Sequence, residues 1–446
     1  MDLTWAQEEL SGIELGDARL EKRAAVLLDE LGKKPSTSIP TACGGWAETL
    51  AAYRFLGNEK CHWADILAPH TESTQTRMAK HSVVLCIQDT TVLNFNGQQT
   101  EGLGPLSFEA QRGMFVHPTL AVTPERLQLG VLDAWMWARE FKDINGQRPG
   151  IKESIRWIEG YERVAERARE LPQTRLVYMG DRESDLLPLI QQANRLKFVA
   201  DVLLRSKHNR VLTKGEAKLW DQVGVTVSLG QIEFHLPRRK GKPARQVTQE
   251  LRVLRVKFRS SIIGETFEMT ALQAKEINAP AGVKPIEWRL LTNRDPKTLE
   301  EAAELVDWYR CRWEIEQFFN VLKNGCKIEA LQLSNIDRIE TALAFYLIIA
   351  WRVGYLLGLG KTCPEMDCEV VFARDEWQAA WVVKYKTLPQ KVPTLNEMIR
   401  LIASFGGFLG RKSDREPGAK SLWQGLQCVM QFAIAMQALK EANSCV

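Results

Sequence analysis

Four polar side chains with chemical capability recur at helical spacing in the segment WYRCRWEIEQFFNVLKNG. Tyr309, Arg312, Glu316 and Lys323 are separated by three, four and seven residues, and a helix advances by about 100° per residue. All four would therefore share one narrow stripe of a helix predicted over 297–325. A carboxylate in that stripe can bind a metal ion, and its neighbours can bind phosphate. A plain i,i+4 ion pair between Arg312 and Glu316 explains part of the pattern equally well.

Two aspartates follow predicted strands earlier in the chain. Asp89 comes just after the apolar run VVLCI, and Asp181 follows LVYMG at a strand-to-helix turn. Functional side chains gather at the carboxyl ends of strands in open α/β sheets, so Asp89, Asp181 and Glu316 could converge on divalent metal ions. Ligands that are all oxygen suit Mg²⁺ or Mn²⁺, and two such ions support phosphodiester chemistry. Such aspartates are also common caps, and Glu183 and Asp185 in the segment DRESD are rival ligands.

Positive charge is concentrated in residues 205–259. This segment has fourteen lysine and arginine residues against four acids, an excess of ten, whereas the whole chain has a net charge of +4. Its stretch LRVLRVKFR alternates as a strand does, and HLPRRKGKPARQ is typical of a basic hairpin or loop. Charge at this density favours a nucleic-acid partner, and a soluble β-extension with a charged outer face is the alternative.

The surrounding patterns divide the chain into helical ends and an α/β centre. Residues 1–72 have helical periodicity, including a helix with Asp17 as its predicted cap. Strands alternate with helices from 73 to 204, which is typical of an α/β core. Residues 361–446 are again mostly helical by pattern.

Composition excludes several classes of protein. The nine cysteines include no CxxC pair and all six histidines precede residue 236, which argues for reduced thiols and against a structural zinc site. No basic segment followed by an apolar one opens the chain, so no secretory signal is expected. The longest apolar run, ALAFYLIIAW at 342–351, is too short to span a bilayer and predicts a buried core helix. A cytoplasmic or nucleoid-associated protein is expected.

At this point the chain resembles a known family. The spacing of the four stripe residues matches the YREK signature of bacterial cut-and-paste DDE transposases, in the branch typified by the transposase of a kanamycin-resistance composite transposon. The segments IQDTT and GDRESD resemble the two aspartate motifs, and LLRSKH and EWRLLT resemble the entry to and exit from a β-strand insertion. LGDARLEKR and AAYRFLGN resemble the N-terminal domain of the family, and SFGGFLGRKSD resembles a C-terminal segment. The resemblance covers nearly the whole chain.

The resemblance implies an α/β fold with a ribonuclease H-like core, in which a mixed sheet has flanking helices. A β-strand insertion interrupts this core, and helical domains precede and follow it. The implied domains are 1–72 for DNA-end binding, 73–204 and 293–360 for the two parts of the catalytic core, 205–292 for the basic insertion, and 361–446 for dimerisation and DNA contact.

The resemblance also assigns roles to individual residues. Asp89, Asp181 and Glu316 would form the catalytic, metal-binding triad. Trp288 would stack on a base flipped out during hairpin formation, although a sheet or core role is the alternative for this residue. The other implied DNA contacts are all cationic or phenolic: Tyr309, Arg312 and Lys323 near the 5′-phosphate of the cleaved end, and Arg205, Arg19, Arg23 and Arg54 elsewhere.

The implied function is that of a DNA transposase. It would bind terminal inverted repeats of double-stranded DNA as a homodimer, cleave them by metal-dependent hydrolysis through a hairpin, and join the 3′-OH ends to target DNA. The implied cofactor is Mg²⁺, bound as two ions, with Mn²⁺ as a substitute, and no membrane partner is expected. A structure-selective DNA nuclease and a catalytically silent DNA-binding regulator of transposition are the alternatives.

Overall fold

The computed structural model describes residues 4–212, 217–236, 243–259, 266–411 and 414–444. Half of the predicted basic hairpin, residues 237–242, lies outside the described residues, as do residues 412–413 of the C-terminal family segment.

The helices alternate with strands only in the middle of the chain. In chain order they are α1 (Trp5–Glu9), α2 (Ala18–Lys33), α3 (Ile39–Cys43), α4 (Trp46–Leu56), α5 (Trp63–Met78), α6 (Glu153–Glu170), α7 (Leu187–Arg195), α8 (Leu219–Gly224), α9 (Leu299–Arg310), α10 (Trp313–Asn320), α11 (Ile336–Thr362), α12 (Arg374–Tyr385), α13 (Leu395–Phe405) and α14 (Ala419–Ser444). The strands are β1 (Val83–Gln88), β2 (Thr91–Asn94), β3 (Gly104–Pro105), β4 (Arg112–Val122), β5 (Gln128–Trp137), β6 (Arg175–Gly180), β7 (Asp201–Arg205), β8 (Ser228–Leu236), β9 (Arg245–Arg259), β10 (Thr266–Ile277) and β11 (Glu287–Thr292).

The chain forms two compact units, each built from separate stretches of sequence. The first unit comprises Met1–Met78, Thr90–Gly150 and Glu314–Val446, and the second comprises Ala79–Asp89 and Ile151–Trp313. The α/β class predicted from the sequence is confirmed by these helices and strands. The five domain boundaries given above stay predictions.

The first unit packs helices against a small antiparallel group of strands. In that group β4 pairs with β2, β3 and β5. The Asp17 side chain accepts a hydrogen bond from the Arg19 backbone N–H and caps α2, as predicted. The apolar run 342–351 lies within α11, and its side chains are buried, so the prediction of a core helix is confirmed. Although α11 is long and apolar enough to cross a membrane, 78% of its most apolar window is buried inside the protein.

The second unit contains a mixed sheet with the strand order β1–β6–β7–β11–β10–β9–β8. The first three strands are parallel, because helices connect β6 to β7 and precede β6. The next four pair antiparallel, and they include β9, which contains the strand predicted from LRVLRVKFR. The core of β1 is continuously apolar because this strand is buried on both faces.

The prediction of one continuous helix over 297–325 is wrong. Helix α9 ends at Arg310, and α10 begins at Trp313. At the junction the backbone N–H groups of Cys311 and Arg312 bond to carbonyls three residues back instead of four, which ends the α-helical ladder. A π-helical segment, Val321–Gly325, then follows α10. Because the helix is interrupted, the angles that placed four side chains on one stripe do not apply.

Candidate active site

Asp89 and Asp181 follow neighbouring parallel strands at the same position. The Cα partners Ile87 and Met179 lie opposite each other in β1 and β6, and each aspartate is two residues further along its strand. Neighbouring strands lie about 4.8 Å apart, so this register brings the two carboxylates to adjacent carboxyl ends of the sheet. The Asp181 Oδ1 atom accepts the backbone N–H of Glu183 at 2.7 Å, which fixes the carboxylate at the start of the turn.

Buried polar contacts support the end of β1 directly before Asp89. The hydroxyl of Tyr178 lies 2.5 Å from Gln88 Oε1 and 3.0 Å from the carbonyl oxygen of Trp157. Burial raises the pKa of Tyr178 well above its usual value, so this hydroxyl keeps its proton as a donor. Gly160 on α6 faces Gln88, and a Cβ atom there would overlap the Gln88 amide. These contacts hold β1 and β6 together at the strand ends that precede Asp89 and Asp181.

Arg312 pairs with Asp89 across the fold. The distance from Arg312 Nη1 to Asp89 Oδ2 is 3.0 Å, and the two side chains are only 15% and 19% exposed. A charge-assisted hydrogen bond at this depth positions both groups more firmly than a surface pair would. Arg312 lies in the turn between α9 and α10, so the guanidinium that pairs with Asp89 comes from the point where the predicted helix is interrupted.

Tyr309 lies beside the same charged groups. It is 4% exposed on α9, and the charges of Arg312, Arg205 and Asp181 act on its phenol. Burial raises the pKa of Tyr309, and the two guanidinium groups oppose that effect only in part. Its ring centroid lies 6.3 Å from that of Trp288.

Trp288 is a half-buried residue of β11 with an aromatic neighbour that was not predicted from the sequence. The ring of Phe234 on β8 is nearly parallel to it, with centroids 5.8 Å apart and an interplanar angle of 18°. The guanidinium of Arg310 lies 4.5 Å from the centroid of the Phe234 ring. Strand alternation alone cannot select Phe234, because its ring contacts depend on how the antiparallel strands of this unit fold over one another.

A basic cavity of about 330 Å³ opens near Arg205. Its lining includes four cations and one carboxylate: Arg182, Arg205, Lys207, Arg289 and Glu287, together with Ser206. Of these residues, only Arg205 was predicted from the sequence. The alternation of EWRLLT was a usable signal for Arg289, since it puts Glu287 and Arg289 on the same face of β11.

Asp185, one of the rival ligands, has buried contacts that favour a structural role. It is 2% exposed, and its Oδ2 atom accepts the backbone N–H groups of Lys207 at 2.6 Å and His208 at 2.9 Å. Ser206 Oγ donates to the same oxygen at 3.1 Å, and Arg210 forms an ion pair of 2.6 Å with the other. With both oxygens engaged, the carboxylate anchors the chain where it enters the insertion.

The remaining predicted residues belong to the first unit. Glu316 is half-buried on α10, and Lys323 is half-buried in the π-helical segment. Arg19 and Arg23 are on α2 and Arg54 is on α4, and both Arg19 and Arg54 are exposed. The second unit therefore brings together six of the predicted residues, namely Asp89, Asp181, Arg205, Trp288, Tyr309 and Arg312.

The described side chains form few clusters that could bind a metal ion. Within the ranges that the structure describes, no group of three or more His, Cys, Asp or Glu side chains could hold a metal ion. The carboxylate oxygens of Asp89 and Asp181 are nevertheless the donor type that Mg²⁺ prefers, and they lie at adjacent strand ends.

Comparison with known families supports one class of protein. Three family models match in order along the chain: a transposase DNA-binding domain over residues 2–61, a transposase DDE domain over 158–352, and a transposase Tn5 dimerisation domain over 348–444. Together they support a DNA transposase of the DDE class, and a DDE domain implies a ribonuclease H-like core. The dimerisation match points more particularly to transposases of the Tn5 type. Asp181 and Glu316 fall inside the DDE match, whereas Asp89 precedes it.

One solved structure is also similar. It is described as the cryo-EM structure of a piggyBac transposase synaptic complex with hairpin DNA, with 8% sequence identity and a TM-score of 0.34. The match covers 83% of this chain and 57% of that one. The TM-score is too low to establish a shared fold, so the class assignment depends on the family models.

Proposed function

We propose that this protein excises a DNA element and inserts it elsewhere. It binds the terminal inverted repeats, hydrolyses a strand at each end, forms a hairpin, and joins the 3′-OH ends to target DNA. The register of β1 and β6 carries the proposal, because it sets Asp89 beside Asp181 at adjacent strand ends with Arg312 paired to one of them.

Asp89, Asp181 and Glu316 are the residues proposed to hold two Mg²⁺ ions, or Mn²⁺ in their place. All three supply carboxylate oxygens, and hydrogen bonds hold two of the carboxylates: Asp181 accepts the backbone N–H of Glu183, and Asp89 accepts Nη1 of Arg312. Bound ions of this kind lower the pKa of water and stabilise the charge of a leaving oxygen.

The cationic residues bind and orient the DNA backbone. Tyr309, Arg312 and Lys323 hold the phosphate near the cleaved end, and Arg205 extends this surface into the basic cavity. A phosphate that replaces solvent there meets the Arg312 guanidinium, which Asp89 already holds in place, and the phenol of Tyr309, which burial holds in place.

Trp288 receives the base that is flipped out when the hairpin forms. Its ring is supported on one side by Phe234. A flipped base loses its stacking within the duplex, and stacking on an aromatic side chain compensates for that loss. Arg19, Arg23 and Arg54 contact the end sequence, and the C-terminal region 361–446 pairs two subunits, in keeping with the two terminal family matches. We place the protein at the nucleoid of a bacterial cell, where its DNA substrate is.

The test is a strand-cleavage and joining assay. The purified protein is incubated with Mg²⁺, a target plasmid, and an end-labelled duplex that carries the terminal inverted repeat found in the DNA flanking the gene. Nicked, hairpin and joined products are expected in succession. Cutting without joining would support the nuclease alternative, and binding without cutting would support the silent regulator.

A further inference from the structure

A buried polar network links the first helix of the chain to the core. Glu9 on α1 is 8% exposed, and its carboxylate accepts Arg77 Nη2 at 2.9 Å and Arg77 Nη1 at 3.1 Å. His70, which is fully buried on α5, lies 2.5 Å from the same carboxylate through Nδ1. Arg77 Nε also donates to the Leu129 carbonyl of β5 at 2.6 Å. Glu9, His70 and Arg77 are called the Glu9 network below.

The tautomer of His70 follows from its second contact. The backbone N–H of Val131 donates to His70 Nε2 at 2.9 Å, so that nitrogen carries a lone pair and the proton is on Nδ1. His70 is therefore neutral and donates to Glu9, while Arg77 supplies the positive charge. Every polar group of the network has a partner, which is the condition under which buried charge specifies one arrangement.

A second contact beside the network fixes the other end of α1. The Arg352 guanidinium lies 4.0 Å from the ring of Trp5, and Gly32 leaves room for the same ring. The preceding residue of α11, Trp351, stacks under Arg77 at 4.3 Å. Two successive residues of the core helix thus contact both attachment points of α1, which holds the helix in one orientation.

The location of these contacts gives them a functional meaning. Glu9 and Trp5 lie inside the 2–61 match to a transposase DNA-binding domain, whereas Arg352 closes the 158–352 match to the DDE domain. All of them belong to the first unit, which also carries Glu316. A rigid attachment here keeps the surface that reads the DNA end at a fixed offset from the part of the core that carries Glu316.

We propose that Glu9 is a positioning residue that, through His70 and Arg77, sets the distance between the recognised end sequence and the phosphodiester that is cut. This inference depends on the proposed function, because it assigns the cut position to a residue that touches neither DNA nor the reacting atoms. A chain with a loosened α1 would still bind ends but would cut them at several neighbouring positions.

The experiment compares Glu9→Gln with Glu8→Gln. Glu8 is the adjacent, exposed glutamate of the same helix, so its variant changes the same charge without touching the network. Each protein is given the labelled inverted-repeat duplex, and cut positions are read at single-nucleotide resolution alongside end-binding affinity. Hydrogen exchange of the α1 and α2 amides is measured without DNA.

For Glu9→Gln we expect end binding within about twofold of the wild type, amide exchange in α1 faster by about tenfold or more, and cuts spread over neighbouring positions. Glu8→Gln should match the wild type in all three. Glu9→Asp, which keeps the charge but shortens the reach, is made in parallel in case the glutamine variant does not fold, and an intermediate spread is expected.

General loss of stability would lower the yield of cuts without moving them. A single cut position in both Glu9 variants, as sharp as in the wild type, would overturn the inference. Absence of any end cut by the wild-type protein would instead contradict the proposed function.

Discussion

Arg312 and Asp89 are 223 residues apart in the chain and form an ion pair of 3.0 Å. The pair holds a carboxylate proposed to bind metal and a guanidinium proposed to bind phosphate against each other. Without DNA or metal, each neutralises its partner in a partly buried setting where an unpaired charge is costly.

This relationship predicts two effects of Arg312→Ala. End nicking should fall by about 100-fold or more, because a preorganised phosphate donor is lost. Without DNA, Mg²⁺ should raise the melting temperature more than it does in the wild type, because Arg312 no longer competes for Asp89. Arg312→Lys keeps the charge but not the planar fork, and should recover only part of the nicking. Wild-type nicking by the alanine variant would contradict the role of the pair.

Asp181 and Glu183 provide a matched comparison of two acids in one turn. Asp181→Ala should abolish nicking in Mg²⁺ and leave end binding intact, because the carboxylate is lost while the basic surfaces remain. Glu183→Ala should nick normally, since it is the backbone N–H of Glu183, not its exposed side chain, that bonds to Asp181. Gel-shift and nicking assays on the same duplex measure both effects. Full cleavage by Asp181→Ala would rule out this aspartate as a ligand.

Asp185, in contrast, should matter for stability. Asp185→Asn leaves Arg210 without its buried partner and weakens the acceptor for the backbone of residues 207 and 208. Breaking a buried pair of this kind costs about 3–5 kcal/mol, which a shift of the urea midpoint would reveal. The stabilisation by Mg²⁺ should be retained in the variant. Loss of that stabilisation with an unchanged urea midpoint would return Asp185 to the list of metal ligands.

The strand ends were predictable from the sequence because the signals there are local. A continuous apolar run followed by an aspartate identifies a buried strand and its end, and the structure puts Asp89 and Asp181 at such ends. The register that makes them neighbours is a tertiary property. DRESD offers three acids in five residues, and only the contacts of Asp185 with a loop more than twenty residues away separate the structural acid from the others.

The break between α9 and α10 could not be predicted for a different reason. Cys311 and Arg312 are compatible with a helix, and neither glycine nor proline is present at the junction. The helical periodicity of the sequence therefore continues through the junction, although the backbone turns there. The pairing of Arg312 with Asp89 stabilises that turn from outside the segment, which local sequence patterns do not report.

Acid should destabilise the first unit through the Glu9 network. Burial opposes ionisation of Glu9, but His70 and Arg77 outweigh it and lower its pKa to about 2, while burial lowers the pKa of His70. The Glu9 carboxylate therefore contributes its full stability at pH values above 4.5, its ordinary pKa. This stability is lost as the pH falls towards 2. His70 contributes to acid destabilisation at a higher pH than Glu9. Its imidazole is protonated below about pH 6.5 in the unfolded chain, whereas burial opposes this protonation in the folded chain.

Melting temperatures of the wild type and Glu9→Gln between pH 7 and pH 2.5 check this expectation. The wild type should melt at the higher temperature near neutrality, and the difference should shrink as the pH falls below about 4.5. A difference that stays constant down to pH 2.5 would show that Glu9 is not held ionised by its partners.

Trp288 should affect the hairpin step alone. Its ring is backed by Phe234 and lies near Tyr309, so one aromatic face is held in a defined orientation beside the charged groups. Base stacking on an aromatic side chain contributes about 1–3 kcal/mol, so its loss should lower hairpin yield by about 5- to 150-fold. First-strand nicking needs no flipped base and should be unchanged.

Trp288→Phe and Trp288→Leu form the matched pair, because the first keeps an aromatic face and the second keeps only apolar volume. Hairpin yield on a denaturing gel should be higher for phenylalanine than for leucine, and equal yields from the two variants would exclude stacking as the role of Trp288.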